Sequence, residues 1–315
     1  FGLIVVDEAQ DMSAPQLEIA QMSLAPGGRM VVVGDDRQAI YRFRGADSNA
    51  LDRLKTELHA SELGLTTTFR CGARIVQEAQ RLVPDIQALP TIHAGAYDVV
   101  SAGRLYATVR PGDFVLSRLN APLTRCAMTL LRRGTRAKIQ GRDIGRTLSA
   151  LADRISQWGK ITNMALWRNE LDAWCAREVR KAEEADVLAR AALVTDQAAT
   201  LLVLAENATD VAGIKDRISY LFDDVAGDNS FVICSTVHRA KGLEADSVYV
   251  LADTFVVDVQ CLCGHRHRRG MPECLKCKCG AYVPDPGAVL EEQNIRYVAI
   301  TRAKRNLWWV ISEVR

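Results

Sequence analysis

The chain has 315 residues, of which 48% are hydrophobic and 25% are charged, and its formal net charge is +2. This length is enough for two domains, and the composition is that of an ordinary globular protein, which excludes a disordered chain. Because the total charge is close to neutral, any surface that binds nucleic acid must be local. No apolar run is long enough to cross a bilayer, so we expect no membrane segment.

Asp7 and Glu8 follow the apolar run FGLIVV at the start of the chain. A run rich in β-branched residues predicts a strand that is buried on both faces of a parallel α/β sheet, and open α/β sheets bind ligands at the carboxyl ends of their strands. Neighbouring side chains of an extended strand point to opposite sides. One carboxylate could then hold a hard cation while the other takes a proton from water, as metal-assisted phosphoryl transfer requires. A solvated acidic turn is the alternative interpretation.

The hydrophobic pattern predicts alternating strands and helices up to about residue 147. The first predicted helix has Ser13 as its N-cap and reaches Leu24. The further predicted elements are a strand at 30–33, a helix at 47–59, a strand at 63–68, a helix at 72–82, and strands at 114–117 and 137–140 around a helix at 123–133.

Residues 148–221 differ because they have almost no strand signals and carry Glu, Lys, Arg and Ala at helical periods. They predict a helical insertion, 148–229, between two pieces of one α/β domain. Within it, residues 173–204 are typical of one long helix or of two. The charged run 177–190 favours a solvated helix face over a DNA contact. The predicted strands return at 231–235, 248–251 and 306–311.

The second strand of the chain is followed by a polar and aromatic segment. Gly34 permits a tight turn there, and Gln38 can both donate and accept hydrogen bonds. Tyr41 and Phe43 alternate with arginines, one of which is Arg44. Aromatic faces beside guanidinium groups are typical of a platform for single-stranded nucleic acid. The alternative is that both aromatic residues belong to the core.

Five of the nine cysteines fall within residues 261–279, together with two histidines. Thiolates in two close clusters suit tetrahedral Zn²⁺, and a local metal site in a reducing compartment fits better than a disulfide framework. The alternative is a loop of reduced thiols. A structural role for this basic loop is favoured over a nucleic-acid contact. The predicted ligands are Cys261, Cys263, Cys277 and Cys279, with Cys274 or His265 as substitutes.

Five segments resemble, in order, motifs II to VI of the UvrD/Rep family of superfamily 1 DNA helicases. Each match alone is moderately specific, but five matches in the right order along the whole chain are highly specific. The segments are 7–11, 34–46, 68–70, 235–244 and 291–303.

The resemblance implies two RecA-like lobes of the P-loop NTPase class with parallel sheets. Residues 1–60 would be the C-terminal part of the first lobe, and residues 61–147 the first segment of the second lobe. After the insertion, residues 230–315 would complete the second lobe and carry a zinc-ribbon-like loop at 258–285.

The resemblance also assigns roles on the two walls of a nucleotide site. Asp7 matches the residue that holds Mg²⁺, and Glu8 matches the one that activates water. Arg70 and Arg302 match two arginines that meet the γ-phosphate, where fixed guanidinium groups can stabilise charge on a transferring phosphoryl group. Gln38 matches a residue that links the γ-phosphate to the DNA site.

Further residues match the binding of the nucleotide. Gln10, like Gln38, matches a residue that links the γ-phosphate to the DNA site. Phe69 takes the place of an aromatic residue, usually Tyr, that stacks on adenine. Glu244 matches a residue near the ribose. Lys241 follows a predicted strand and is a candidate phosphate ligand.

For the DNA site, Tyr41 and Phe43 match aromatic residues against which bases stack, although the family often has Trp at the second position. Arg44 and His238 are the further nucleic-acid candidates. A buried or solvated His238 without a ligand is an equally good interpretation.

The implied function is an ATP-dependent helicase or translocase that moves 3′ to 5′ on single-stranded DNA or at a single-strand/duplex junction. ATP and Mg²⁺ are its implied cofactors, and the cytoplasm of a bacterial or phage-infected cell, at the nucleoid, is the expected location. The sequence does not distinguish DNA repair, replication or another pathway, and it indicates no protein partner.

The motif G-x-x-x-x-G-K-[ST], which cradles phosphates, does not occur in the chain. We therefore expect a fragment that hydrolyses ATP poorly and whose phosphate loop lies upstream of Phe1. A non-catalytic nucleic-acid-binding or regulatory module that retains the lobes is the alternative function. A helicase–nuclease fusion is a further alternative, for which the sequence offers no nuclease constellation.

Overall fold

The structure is a computed structural model that describes residues 1–40, 50–157, 161, 163–185, 187–224, 228–255, 259–261, 266–267, 282–284 and 286–312. Helices alternate with mainly parallel strands along these ranges, which confirms the predicted α/β class. We call residues 1–60 the first lobe. Its elements are β1 (Leu3–Val6), α1 (Ala14–Met22), β2 (Arg29–Val32) and α2 (Ala50–Glu57).

β1 and β2 form a parallel pair in which Leu3 lies opposite Arg29 and Val6 opposite Val32. Helices α1 and α2 cover one face of this pair. On the other face the side chains of Leu3 and Val5 are 58% and 63% exposed. The prediction that β1 is buried on both faces is therefore wrong, because alternate side chains of a strand point to opposite faces and no described element covers the second face.

The elements after residue 60 begin with two short strands and a helix and continue through the predicted helical region to the final strand. They are β3 (Thr67–Thr68), α3 (Ala73–Ala79), β4 (Gln87–Ala88), β5 (Ala96–Ser101), α4 (Ala102–Thr108), β6 (Phe114–Ser117), α5 (Asn120–Arg132), β7 (Ala137–Gln140), α6 (Arg142–Gln157), α7 (Met164–Glu184), α8 (Leu188–Leu204), α9 (Val211–Leu221), β8 (Phe222–Asp223), β9 (Val232–Thr236), α10 (Val237–Ala240), β10 (Ala245–Leu251), β11 (Val259–Cys261), β12 (Arg266–His267), β13 (Tyr282–Pro284), α11 (Pro286–Ile300) and β14 (Ala303–Ile311). The predicted strand at 63–68 is therefore limited to Thr67–Thr68.

Seven of the described strands form one parallel sheet in the order β5-β14-β10-β6-β9-β7-β8. We call the part of the chain built on this sheet the second lobe. Every residue of the central strands β6 and β9 is buried. Central strands of a parallel sheet are covered on both faces, which explains their nearly continuous apolar sequence.

The two faces of this sheet belong to two hydrophobic cores. One core packs the sheet against α5 and against the helices α6 to α9, and it contains Trp167 and Leu201. The other core packs the opposite face against α3, α10 and α11, and it contains Ile75 and Ile295. Ile40 of the first lobe also lies in this second core, so the two lobes share apolar packing.

Short polar side chains begin several helices of the predicted helical region. Asn163 accepts the Leu166 N–H at 3.0 Å to begin α7, and Asp210 accepts the Gly213 N–H at 2.8 Å to begin α9. Such N-caps satisfy backbone donors that have no partner within the helix. The sequence left open whether residues 173–204 form one long helix or two. The structure has two helices there, α7 and α8. The domain boundaries proposed for 148–229 stay a prediction.

Strand β11 pairs antiparallel with both β12 and β13 in the cysteine-rich region. Cys261 lies in β11, and its side chain is not among those described. The other predicted zinc ligands and substitutes lie outside the described residues, and they are Cys263, Cys277, Cys279, Cys274 and His265.

Candidate functional site

Asp7 and Glu8 lie at the carboxyl end of β1. Glu8 has a φ of 51° and a ψ of 41°, in the left-handed region that residues other than glycine seldom adopt. The chain therefore turns at Glu8, and the premise that these residues continue an extended strand is wrong. Asp7 Oδ1 accepts the Glu8 backbone N–H at 2.9 Å, and this hydrogen bond supports the turn.

Gln10 connects the ends of β1 and β2, and its side chain is buried. Its Nε2 donates to Glu8 Oε2 at 2.6 Å, and its Oε1 accepts the Asp35 N–H at 3.0 Å. Asp35 Oδ2 in turn accepts a hydrogen bond from Gln38 Nε2 at 2.9 Å. A hydrogen-bonded chain therefore runs from Glu8 to Gln38 across the ends of both strands.

Lys241 brings a cation of the second lobe to these strand ends. It follows α10, and its Nζ lies 3.0 Å from Glu8 Oε2 and 2.6 Å from Asp11 Oδ2. The same Nζ donates to the Gln38 backbone carbonyl at 3.3 Å. Lys241 thus contacts the first lobe directly, at the residues that resemble motif II and motif III.

The environment of Glu8 favours its charged form. Partial burial acts to raise the pKa of Glu8, but the hydrogen bond and charge of Lys241, the Gln10 hydrogen bond and the charge of Arg302 together lower that pKa below its ordinary value. Glu8 is therefore a carboxylate in this arrangement.

Glu244 lies between two cations of the second lobe. Its carboxylate contacts Arg70 Nε at 2.5 Å and Lys304 Nζ at 2.7 Å. The Lys304 hydrogen bond lowers the pKa of Glu244, burial acts against it, and Arg70 lowers the pKa further. Arg70 also donates to the Thr301 carbonyl at 3.4 Å, which places its guanidinium beside the start of β14.

Arg302 is 2% exposed, which is rare for an arginine. Its guanidinium donates to the carbonyls of Val298 and Leu243 and to the Thr301 hydroxyl, at 3.0, 3.2 and 3.1 Å. Burial, and next the neighbouring charge of Arg70, lower the pKa of Arg302 to about 10. A buried guanidinium with a second one nearby is an environment that an anion would stabilise.

The acids of the first lobe and the arginines of the second lobe influence one another. The charge of Arg302 lowers the pKa of Glu8, and the charge of Glu8 acts to raise the pKa of Arg302. Arg70 is also among the groups that shift the pKa of Arg302. Glu8, Arg70 and Arg302 are therefore close enough to interact electrostatically where the two lobes meet, and we call this junction the crevice.

Asn294 of α11 fixes the first lobe beside this crevice. Its side chain is 5% exposed, and Nδ2 donates to the carbonyls of Asp36 and Ala39 at 3.0 and 3.1 Å. The fully buried Ile40 follows directly and packs into the second core. The segment after β2 is thus held by polar and apolar contacts together.

Sequence reasoning did not assign Asp11, Lys304 or Asn294 to the site. Asp11 belongs to the segment that resembles motif II, and Asn294 belongs to the segment that resembles motif VI. Their place within these segments was the one indication in the sequence that they lie near the site. Lys304 lies two residues after Arg302, near the start of β14. Their partners are far away in sequence, and no local pattern reveals such a pairing.

The remaining predicted site residues lie at or beyond the margins of the crevice. Phe69 precedes Arg70 and is 73% exposed, so its ring is accessible. His238 lies in α10 and is half-buried. Tyr41, Phe43 and Arg44 lie outside the described residues.

Within the described ranges, no group of three or more His, Cys, Asp and Glu side chains is arranged to hold a metal ion. Asp7 is exposed beside Glu8, and a carboxylate oxygen is a ligand that Mg²⁺ accepts, so its chemistry fits the predicted Mg²⁺ contact. In the part of the chain that the structure describes, none of the helices has the length and apolarity that crossing a bilayer requires.

The parallel sheets and this crevice define a two-lobed α/β protein in which acids on one lobe face arginines on the other. A family model described as the UvrD/REP helicase N-terminal domain matches residues 1–59, and one described as the UvrD-like helicase C-terminal domain matches residues 218–314. The chain belongs to the UvrD/Rep family of superfamily 1 helicases, which confirms the resemblance.

Individual relatives agree with this assignment. The chain is 28% identical over 320 residues to F-box DNA helicase 1 of Gallus gallus, covering 98% of the chain and 29% of that protein. It is 26% identical over 328 residues to F-box DNA helicase protein 1 of Schizosaccharomyces pombe, covering 98% of the chain and 33% of that protein. ATP-dependent DNA helicase Rep of Escherichia coli is 35% identical over 81 residues, which are 25% of the chain and 12% of Rep. The chain thus spans about a third or less of these relatives.

Proposed function

We propose that the chain is part of an ATP-dependent DNA helicase or translocase that binds ATP in the crevice between its lobes. The observation that carries this proposal is that Glu8, on the first lobe, lies 3.0 Å from Lys241 of the second lobe and near enough to the buried Arg302 for their charges to interact. An acid that accepts a proton from water and guanidinium groups that stabilise phosphoryl charge are two of the requirements of nucleotide hydrolysis.

Each wall of the crevice has a distinct task in this proposal. Glu8 orients the attacking water and accepts its proton, while Arg70 and Arg302 stabilise charge on the transferring phosphoryl group. Asp7 would hold Mg²⁺, which neutralises phosphate charge when it is bound. Closure of the crevice excludes water other than the reacting one, which strengthens each of these interactions.

Two residues bind the nucleotide outside its terminal phosphate, and two others link the crevice to the segment after β2. Phe69 offers an exposed ring to the adenine base, and Glu244 accepts a ribose hydroxyl once its cations rearrange. Gln10 and Gln38 extend the link from Glu8 along the hydrogen-bonded chain toward the segment after β2. A change at the phosphate can therefore reach that segment through direct contacts.

That segment leads to the residues we propose for DNA binding. Tyr41 and Phe43 stack on bases, and Arg44 and His238 contact backbone phosphates. The substrate is single-stranded DNA, and movement is 3′ to 5′. Support comes from the family and from relatives whose names describe DNA helicases, Rep being named as ATP-dependent.

A phosphate loop outside these 315 residues completes the ATP site in our proposal, since the motif does not occur among them. The test therefore uses a hydrolysis-competent protein, meaning one that joins this chain to such a loop. Single-stranded DNA should stimulate its ATPase activity. Glu8→Gln should lower that activity by about 100-fold or more, which is the usual contribution of a general base.

Glu18→Gln is the matched control, because Glu18 is exposed on α1 of the same lobe, and it should retain wild-type activity. Absence of DNA-stimulated hydrolysis in the hydrolysis-competent protein, or full activity of Glu8→Gln, would contradict the enzymatic proposal. Binding of single-stranded DNA without hydrolysis would then favour a non-catalytic nucleic-acid-binding module.

We also propose a structural Zn²⁺ held by Cys261, Cys263, Cys277 and Cys279, with Cys274 or His265 as substitutes. Support comes from the spacing of soft ligands in the sequence and from the antiparallel pairing of β11 with β12 and β13, which is the kind of scaffold that zinc-ribbon loops use. Metal analysis of the chain purified under reducing conditions should give about one zinc per chain. A zinc content near zero would exclude the site.

A further inference from the structure

Lys241 is a buried cation that joins the two lobes. Its side chain is 9% exposed, and it contacts three acceptors of the first lobe, which are the carboxylates of Glu8 and Asp11 and the carbonyl of Gln38. An ammonium group away from water requires such partners. Because Glu8 is 57% exposed and such ion pairs add little net stability, the main effect expected of this one is to favour one arrangement of the groups that form it.

The two carboxylates of this cluster hold Lys241 in different ways. Glu8 Oε2 accepts hydrogen bonds from both Lys241 and Gln10, at 3.0 and 2.6 Å. Gln10 is fixed from its other side by the Asp35 N–H. A water can approach this Glu8 oxygen as a hydrogen-bond donor only when one of the two present donors leaves.

Asp11 provides a second acceptor for a lysine that leaves Glu8. Its Oδ2 already lies 2.6 Å from Lys241 Nζ. Its Oδ1 is buried and has no hydrogen-bond partner among the described residues. An ammonium group has three donors, so Lys241 can contact both oxygens of Asp11 without losing its burial or its charge compensation.

We propose that Lys241 is a positioning residue that joins the lobes through Glu8 and Asp11 in the arrangement described here, and that it moves to Asp11 alone when nucleotide closes the crevice. Glu8 is then released to meet the attacking water, while the lobes stay connected through Asp11. The inference rests on the proposed function, because the release of Glu8 has a consequence only if Glu8 acts on water.

Hydrogen exchange on the 315-residue chain tests the connection without requiring hydrolysis. In Lys241→Met, the amides of β1 and of the segment that follows it should exchange at least about tenfold faster, since the carboxylates of Glu8 and Asp11 lose the cation that connects them to the second lobe. Lys241→Arg keeps the charge and should restore most of the protection. Lys215→Met is the matched control, because Lys215 pairs with Asp153 between α6 and α9, and it should leave β1 unchanged. Wild-type exchange of β1 in Lys241→Met would overturn the proposal.

Asp11→Asn tests the transfer in the hydrolysis-competent protein. Without the second acid, Lys241 remains on Glu8, so kcat should fall about tenfold while KM for ATP stays within about twofold. A wild-type kcat would overturn the transfer. If the wild-type protein hydrolyses no ATP, the proposed function fails, and the exchange experiment alone decides whether Lys241 joins the lobes.

Discussion

Glu244 pairs with Arg70 and with Lys304. Its carboxylate therefore neutralises Arg70, which we propose contacts the phosphate of the nucleotide. Nucleotide binding requires Arg70 to exchange Glu244 for a phosphate oxygen. Lys304 then becomes the partner that keeps Glu244 in place for the ribose. Because Arg70 and Lys304 share Glu244, Arg70 can leave while Glu244 keeps Lys304 as a charged partner.

Lys304→Met in the hydrolysis-competent protein should therefore raise KM for ATP about three- to tenfold and change kcat by less than about twofold, because Glu244 contributes to binding in the ground state and transition state alike. Steady-state ATPase assays with saturating single-stranded DNA measure both constants. Lys215→Met serves as the control and should leave both unchanged. A fall in kcat at constant KM would show that Lys304 acts on the chemical step instead.

Glu292 predicts a pH dependence of stability. Burial raises the pKa of Glu292 to about 7 from an ordinary value of 4.5, and the charges of Arg118 and Arg296 only partly oppose this shift. The folded state therefore binds the proton more tightly than the unfolded state. The free energy of unfolding should fall as pH rises from about 4.5 to about 7, by up to about 3 kcal/mol, since one pKa unit corresponds to about 1.4 kcal/mol.

Urea unfolding of the wild type and of Glu292→Gln at several pH values measures this contribution. Because Gln does not titrate, the variant should lose this part of the pH dependence and retain what other groups contribute. Glu18→Gln should behave as the wild type does. Identical pH profiles for the wild type and Glu292→Gln would show that Glu292 titrates normally.

At the level of single residues, the sequence predicted some of the side chains that meet but not how they pair. Glu8, Gln10 and Gln38 follow predicted strands, so their proximity at the carboxyl ends could be inferred from the fold class. The Lys241 contact with Asp11 joins residues 230 positions apart. Such a pairing depends on how the lobes dock, and single-sequence periodicity contains no information about that.

Helix α5 shows how one element depends on another that is distant in sequence. Its N-cap is Leu119, which has no side-chain acceptor. Asp196 of α8 replaces the missing cap and accepts the backbone N–H groups of Asn120 and Ala121 at 2.9 and 3.0 Å. A carboxylate at a helix N-terminus also interacts favourably with the helix dipole. The predicted helical region is therefore coupled to a helix that packs on the seven-stranded sheet.

Asp196→Ala should destabilise the protein by about 3 kcal/mol, because it leaves buried backbone donors without a partner. Urea unfolding followed by tryptophan fluorescence measures this change, since Trp167 and Trp174 lie in the core that α8 shares. Asp172→Ala is the matched control on the exposed face of α7, and its effect should stay within about 0.5 kcal/mol. Equal stability of the two variants would show that Asp196 does not cap α5.

Elements differ in how well the sequence predicted them, and burial explains the difference. Strands β6 and β7 have the predicted bounds, because β6 is a continuous buried run and β7 alternates buried with half-buried positions. β5 and α4 were not predicted. β5 lies at an edge of the sheet and mixes exposed with buried positions, and α4 is short, so neither produces a clear periodic pattern.

At the scale of the whole molecule, the candidate site forms only when the two lobes are docked, because each lobe contributes part of it. The first lobe has a small core of its own, centred on Leu17 and Leu54. Its other connections run to the second lobe, through Lys241, Asn294 and the buried Ile40. A lobe with so little internal packing depends on these contacts for its stability.

Ile40→Ala tests this dependence, because the substitution removes buried apolar volume at the interface and should cost about 3 kcal/mol. The tryptophans of the chain all lie beyond residue 150, so their fluorescence reports on the second lobe and its helices. Far-ultraviolet circular dichroism reports on both lobes. In the wild type the two probes should give one urea midpoint, as expected for a cooperative transition. In Ile40→Ala the circular dichroism should show an earlier transition, while the fluorescence midpoint changes less.

Ile19→Ala makes the same chemical change on α1, where the side chain is 64% exposed, and should leave both midpoints in place. Coincident transitions in Ile40→Ala would mean that the two lobes still unfold as one unit. Separate transitions already in the wild type would mean that the lobes unfold independently. The docking of the lobes would then require a bound ligand to be stable. Because Ile40 directly follows the segment that carries Gln38, an early loss of the first lobe should also abolish nucleotide binding at the same urea concentration.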